Sequence, residues 1–244
     1  MNRHIFTSTQ HRELPLPNKL WIFTQQWHHL LFIHMPFPEQ IIKAHLPEGL
    51  ELDTYDGRAW ISIIPFKVTG MRLRTMPALP FLSTYLEVNV RTYVKRQGIP
   101  GVYFFSMDAD KLLSVLGARV ITLPYFHARM KMKRQKDFLY FESNRKSHRE
   151  AAFKGRYKPI SKPYYPEIQS LSYWLLERYV LWTYKHGALY RGDIHHTPWK
   201  IQDAEVFIEK ENMLPFSSNK NNKMLLFQYT SYKCVFIWPI RKVD

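Results

Sequence analysis

The sequence predicts a mainly β (α+β) fold: an antiparallel β-barrel or sandwich with a few short peripheral helices. Three observations predict it. Short runs rich in β-branched and aromatic residues alternate with period two. Helical patterns are few. The connections carry turn residues rather than helices, so the rhythm is not that of βαβ units. The 244 residues are read as one domain, 1–244, with 1–19 a loose lead-in containing Pro15 and Pro17. Apolar residues make up 45% and aromatics 16%, which excludes wholesale disorder.

The elements follow in order. HHLLFIHMP, His28–Pro36, reads as a strand. Pro38 opens a short helix whose apolar side holds Ile41 and Ile42, and Pro47 stops it. GLELDTYDGRAWISIIPF reads as a hairpin turning at Asp56-Gly57. On its second arm Trp60, Ser62, Ile64 and Phe66 share one face and Ala59, Ile61 and Ile63 the other. Both faces are largely apolar, which predicts a strand covered on both sides. In TYLEVNVRTYVKRQG, Leu86, Val88 and Val90 point one way; Glu87, Asn89, Arg91 and Tyr93 point the other. QGIPG turns into a strand, VYFFSMD. DADKLLSVLG then reads as a helix capped by Asp108 or Asp110 and closed by Gly117. A second hairpin turns at Gln135–Asp137, with Ala128, Met130 and Met132 inward and His127, Arg129, Lys131 and Lys133 outward. SLSYWLLERY is the clearest helical pattern, carrying Leu171, Leu175 and Arg178 or Tyr179. VLWTYK, ALYRGDI, WKIQDAEVFIEK, LLFQYT and KCVFIW read as further strands, with a polar turn at 217–223.

The net charge is +15, and it is uneven: residues 119–162 hold thirteen basic side chains against Asp137, Glu142 and Glu150. A field of one sign attracts anions, whether nucleic acid, an anionic surface or a small acid; a solvated sheet face is the plainer reading. Cys234 is the only cysteine, so no internal disulfide and no cysteine-rich zinc site is expected, and the residue reads as a buried small hydrophobe. The first residues lack the apolar core of a signal peptide and no run is long enough to span a bilayer. A cytoplasmic location is the expectation.

No Gly-rich phosphate loop, H-E-x-x-H or G-x-S-x-G occurs, which counts against nucleotide hydrolysis, zincin proteolysis and α/β-hydrolase chemistry. The pairs His28-His29 and His195-His196 sit on strand-like segments. Neighbours there point to opposite faces, so no metal site and no cofactor is expected from them. In DIHHTPW, His196 and Trp199 are candidate cavity residues. Glu87 is the more informative acid. Enclosed in a pocket, its pKa rises and it moves a proton near neutral pH. Arg91, further along the same face, either holds Glu87 ionised or binds a substrate carboxylate.

Several stretches together resemble the bacterial YqjF-like family of the acetoacetate decarboxylase-like superfamily: GLELDTYDGRAWISIIPF, YLEVNVRTYV with GIPGVYFFSMDAD, GARVITLPYFHARM, LLERYVLW and LYRGDIHHTPW, in that order over roughly residues 20–240. The resemblance implies a β-barrel or sandwich around a central cavity. It also implies a glutamate at Glu87 and, after a proline seven residues past a glycine, a Schiff-base lysine. Here Gly117 and Pro124 keep that spacing, but Tyr125 follows. A phenol forms no imine with a ketone. What remains is a cavity that takes a small anionic or carbonyl ligand, in a binding protein or in a lyase- or isomerase-like enzyme without an imine. Glu87 and Tyr125 are the catalytic candidates. Arg91, His127, Arg178, His196 and Trp199 are the ligand-binding candidates. The alternatives are nucleic-acid or anionic-partner binding through 119–162, or a structural protein with an inert interior; a homo-oligomer is compatible with each.

Overall fold

Alternating apolar faces drive this chain into one large sheet that closes twice. The computed structural model describes residues 3–79, 83–111, 122–146, 151–216 and 225–243. Its strands are β1 (Phe23–Phe37), β2 (Glu51–Leu52), β3 (Ala59–Leu73), β4 (Tyr85–Arg96), β5 (Ile99–Ala109), β6 (Tyr125–Gln135), β7 (Phe138–Arg145) and β8 (Ala152–Pro159), then β9 (Val180–Lys185), β10 (Ala188–His195), β11 (Gln202–Glu211), β12 (Leu226–Ile237) and β13 (Arg241–Val243). Helices α1 (Arg3–Thr7), α2 (Glu39–Lys43) and α3 (Leu171–Leu176) are short. Pro38 precedes α2, and the Ser170 side chain caps α3 by accepting from Tyr173 N–H.

The pairings form two circuits. One runs β5-β6-β7-β8-β11-β12-β1-β3-β4 and back to β5, a closed nine-stranded mixed barrel. The other runs β10-β9-β5-β4-β3-β1-β12 and back to β10. They share the wall β12-β1-β3-β4-β5, so that wall is covered on both faces. Trp60, Ile64, Phe66 and Val68 of β3 face the seven-stranded side; Ala59, Ile61 and Ile63 face the nine-stranded side, where Leu139, Phe141, Phe153 and Tyr157 complete a filled core. This is the two-sided burial that the sequence of β3 predicts. β5 carries one extra residue, Phe105, between its pairings with Val90 and Arg91. That bulge shifts the parity, so Val102 and Phe104 before it and Met107 and Ala109 after it reach the same core. Gly101 permits the crossing with β9: a Cβ there would stand 2.6 Å from Val180 O and 2.7 Å from Trp182 Nε1.

Several expectations are corrected. The lead-in is docked, not loose: Ile5 is buried against Phe236 and Trp238, His195 Nε2 donates to Ile5 O (2.7 Å), and Arg12 donates to Ile194 O (2.7 Å). Its apolar pair Ile5-Phe6 is what the barrel covers. The Asp56-Gly57 turn forms, with positive φ at both residues and a Tyr55–Arg58 bridge, but its first arm is the two-residue β2, which pairs with β4 rather than β3. Asp108 is not a helix cap: it lies inside β5 and is held by Arg145. Asp110 instead accepts from Leu86 N–H. The rest of that expected helix, and the polar turn at 217–223, lie outside the described residues. LLFQYT and KCVFIW form one continuous strand, β12, long enough to serve both circuits. α3 ends at Leu176, before Arg178 and Tyr179. β5 pairs in parallel with both β6 and β9, within an otherwise antiparallel set of described pairings. Cys234 is half-buried.

The hairpin β6–β7 forms as expected, and Arg129, Lys131 and Lys133 are exposed. The neighbouring β11 brings acids to this basic face: Glu205 pairs with Lys158 (2.9 Å) and Glu209 with Lys154 (2.5 Å). No described helix is long and apolar enough to cross a membrane.

Candidate functional site

The seven-stranded circuit encloses a cavity of about 600 Å³ whose wall is mostly hydrocarbon and aromatic. Its polar groups come chiefly from β4. Alternation places Glu87, Asn89 and Arg91 on the cavity face, opposite Phe66, Ile64 and Ser62 of β3. Tyr125 enters from β6, because the parallel β5–β6 pairing sets it beside Met107.

Glu87 is 2% exposed and accepts a hydrogen bond from the Tyr125 hydroxyl at 2.8 Å. Burial pushes its carboxyl up to about 7; the hydrogen bonds from Tyr125 and Asn89 oppose that push and the Asp108 charge adds to it. Burial also raises the Tyr125 and Tyr85 phenols well above their ordinary value, and the nearby Glu87 charge raises both further. The network extends behind Tyr85: Gln25 Nε2 donates to its hydroxyl (3.0 Å), and Trp27 Nε1 donates to Gln25 Oε1 (2.7 Å). The carboxyl is therefore held in a fixed orientation with a proton affinity suited to exchange near neutrality.

Arg91 is half-buried, and its Nη2 makes one long bond to Leu175 O (3.3 Å). Arg178 also lines the cavity, but its charge is already matched: Nη1 donates to Asp53 Oδ2 (2.7 Å) and Nε to Trp174 O (2.6 Å). His196 donates from Nδ1 to Thr197 O (2.8 Å), which leaves Nε2 as an acceptor, and burial lowers its pKa well below the ordinary value. Four buried polar atoms on the wall have no protein partner: Asn89 Oδ1, Arg91 Nε, His196 Nε2 and Trp199 Nε1. Such atoms cost stability unless something satisfies them. No lysine lines the cavity among the described residues.

A family model described as an uncharacterized conserved protein, DUF2071, matches residues 24–228. The chain belongs to the DUF2071 family. It is 44% identical over 241 residues to the uncharacterized protein YqjF of Bacillus subtilis, covering 96% of this chain and 97% of that one. Among solved structures it is similar to acetoacetate decarboxylase from Legionella pneumophila, with a TM-score of 0.66, 15% identity, and 98% and 95% of the two chains covered. An acetoacetate decarboxylase-like enzyme from Sphingomonas wittichii gives 0.63 at 14% identity, covering 96% and 98%. The enduracididine biosynthesis enzyme MppR complexed with pyruvate gives 0.61 at 10% identity, covering 95% and 93%. These likenesses establish the fold.

In this DUF2071 protein the cavity brings together Glu87, Tyr125, Arg91, Arg178, His196 and Trp199. His127 is not on the wall, and it is half-buried. His127 still pairs with Ala109, the last residue of β5, and β6 turns to β7 from Ala128 on. Sequence reasoning missed Asp53, the Gln25–Tyr85 support and Lys233. Lys233 is 5% exposed, and burial lowers its pKa to about 8 despite the opposing Glu177 charge. Its ammonium donates to Pro198 O (2.7 Å) and Thr197 O (3.2 Å) and lies 5.0 Å from the Trp199 ring. It clamps the turn that carries Trp199. A lone lysine within the otherwise apolar KCVFIW run was the available signal.

Proposed function

We propose that the cavity binds a small carbonyl or carboxylate compound and that Glu87 transfers a proton on it without an imine intermediate. Arg91 anchors the carboxylate, and Tyr125 orients the Glu87 carboxyl through its hydrogen bond. The observation that carries this reading is the buried Glu87–Tyr125 pair, poised near neutral pH on the wall of a cavity that is otherwise largely apolar. MppR, which shares the fold, is a protein complexed with pyruvate, a keto acid; that supports the substrate class and no more. As base, the ionised Glu87 takes a proton from carbon adjacent to the carbonyl and returns it from the acid form.

The test is deuterium incorporation beside the carbonyl of a panel of oxo acids in D2O, followed by NMR. The expected result is protein-dependent exchange that rises with pH through about 7, as Glu87 ionises. Glu87→Gln lowers the rate by about 100-fold or more, the usual worth of a positioned base. Borohydride added to the same mixtures leaves the protein unmodified. Exchange no faster than solvent across the panel, or equal exchange in Glu87→Gln, removes the acid/base role. A covalent adduct removes the imine-free mechanism.

A further inference from the structure

We propose that the ligand is an elongated monocarboxylate with an apolar body, bound with its carboxylate at Arg91 and its other end at Glu87–Tyr125. This rests on the roles proposed above for those residues and deepens them by naming the size and character of the compound. Glu87, Asn89 and Arg91 are successive cavity-facing positions of one strand, and the β3 register Phe66, Ile64, Ser62 keeps them in three separate rungs. Glu87 and Arg91 are four residue steps apart, about 13 Å between their Cα atoms along β4. The β5 bulge does not shorten that interval, since its extra residue lies on the partner strand. A four-carbon keto acid spans only about 5 Å from end to end on ordinary bond lengths. It fills only part of that interval. An eight-carbon chain reaches about 10 Å, and the two flexible side chains close the remainder.

The cavity has the matching character. Ile64, Phe32 and Phe66 line it on the shared wall. Trp27 and Trp199 face each other in stacked orientation, ring centroids 6.4 Å apart, and Phe32 meets Trp199 edge-on at 5.2 Å. A cavity of about 600 Å³ belongs in the range that holds drug-sized ligands, far more than a four-carbon acid fills. The charge is limited to one. Arg178 is matched by Asp53, which leaves Arg91 as the cavity-lining guanidinium without a carboxylate partner among the described residues. One unmatched cation selects one carboxylate. The buried, unpartnered Arg91 Nε is a donor ready for it.

Calorimetric titration of the full-length protein with butyrate, hexanoate, octanoate and decanoate, and with octanamide as the uncharged counterpart, tests this. Affinity is expected to rise about fourfold per methylene from butyrate to octanoate, the worth of one buried CH2. Arg91→Gln is expected to weaken octanoate by about 10-fold or more and octanamide little, as for a charge-assisted hydrogen bond. Affinity independent of chain length, no binding by any acid of the series, or an Arg91→Gln variant that holds octanoate as tightly as before overturns the proposal. The length series needs only the natural protein, so it decides even if the variant misfolds. Length-dependent binding with no proton exchange sinks the acid/base role alone. Exchange on short oxo acids with flat binding sinks this inference alone.

Discussion

Asp53→Ala is expected to lower the unfolding free energy by about 3–5 kcal/mol, the usual consequence of stranding one partner of a buried ion pair. Asp53 is 2% exposed and Arg178 6%. One carboxylate oxygen takes the Arg178 guanidinium at 2.7 Å and the other takes Lys95 Nζ at 2.8 Å. Burial by itself lowers the Arg178 pKa, and the Asp53 charge is the main force against it. Without Asp53 the guanidinium remains between the rings of Trp174 and Tyr93, at 4.3 and 5.5 Å, with its charge unmatched. The measurement is urea unfolding of the single variant beside the double variant Asp53→Ala/Arg178→Met. The double variant should recover much of the loss, because the stranded charge is gone. A loss under about 1 kcal/mol in the single variant, the scale of an exposed pair, would mean that Arg178 reaches solvent. It would then be free for a ligand as well.

The natural protein should lose stability relative to Glu87→Gln as pH rises from about 4.5 to 7. Folded Glu87 keeps its proton up to about 7, whereas the unfolded chain releases it near 4.5. Between those values the folded state binds more protons, so the slope of stability against pH is negative. The full difference is roughly 3 kcal/mol by linkage and is complete above pH 7. Glutamine keeps the shape and carries no charge, so the two proteins should match near pH 4.5 and diverge above it. Buried histidines act in the opposite direction. His34, held neutral by burial with its pKa lowered to about 3, makes both proteins lose stability as pH falls below 6.5, and this cancels in the difference. Tyr125→Phe removes a bond that favours the carboxylate, so it should move the upper end of the window to higher pH. Parallel curves for the natural protein and Glu87→Gln would show that Glu87 is not enclosed.

The legible part of this protein was the part written with period two. Alternation along β4 separated Glu87, Asn89 and Arg91 from Leu86, Val88 and Val90, and the structure places the two sets on the cavity and on the filled core. The doubly apolar β3 announced a wall with two covered faces. Arg178 was found for the right reason, a polar side chain interrupting an apolar pattern, yet its charge is answered by Asp53, 125 positions earlier. His127 shares its parity with Tyr125 but pairs with the last residue of β5, Ala109, and does not line the cavity. Within the basic region 119–162, Lys154 and Lys158 meet carboxylates, Glu209 and Glu205, that local sequence does not show, because they arrive from β11.

The sequence alone determined which side of each strand is apolar, where the tight turns fall, and that Glu87 and Arg91 share a face, because these depend on backbone geometry repeated every two residues. Only the tertiary structure decided that the sheet closes twice, that the N-terminal segment docks, and that Tyr125 meets Glu87 across a parallel pairing 38 positions removed. Those outcomes rest on register between distant strands, on the bulge that switches parity in β5, and on burial, which raises the Glu87 pKa. No local pattern encodes a register between strands far apart in the chain. It emerges when two apolar faces are buried against each other.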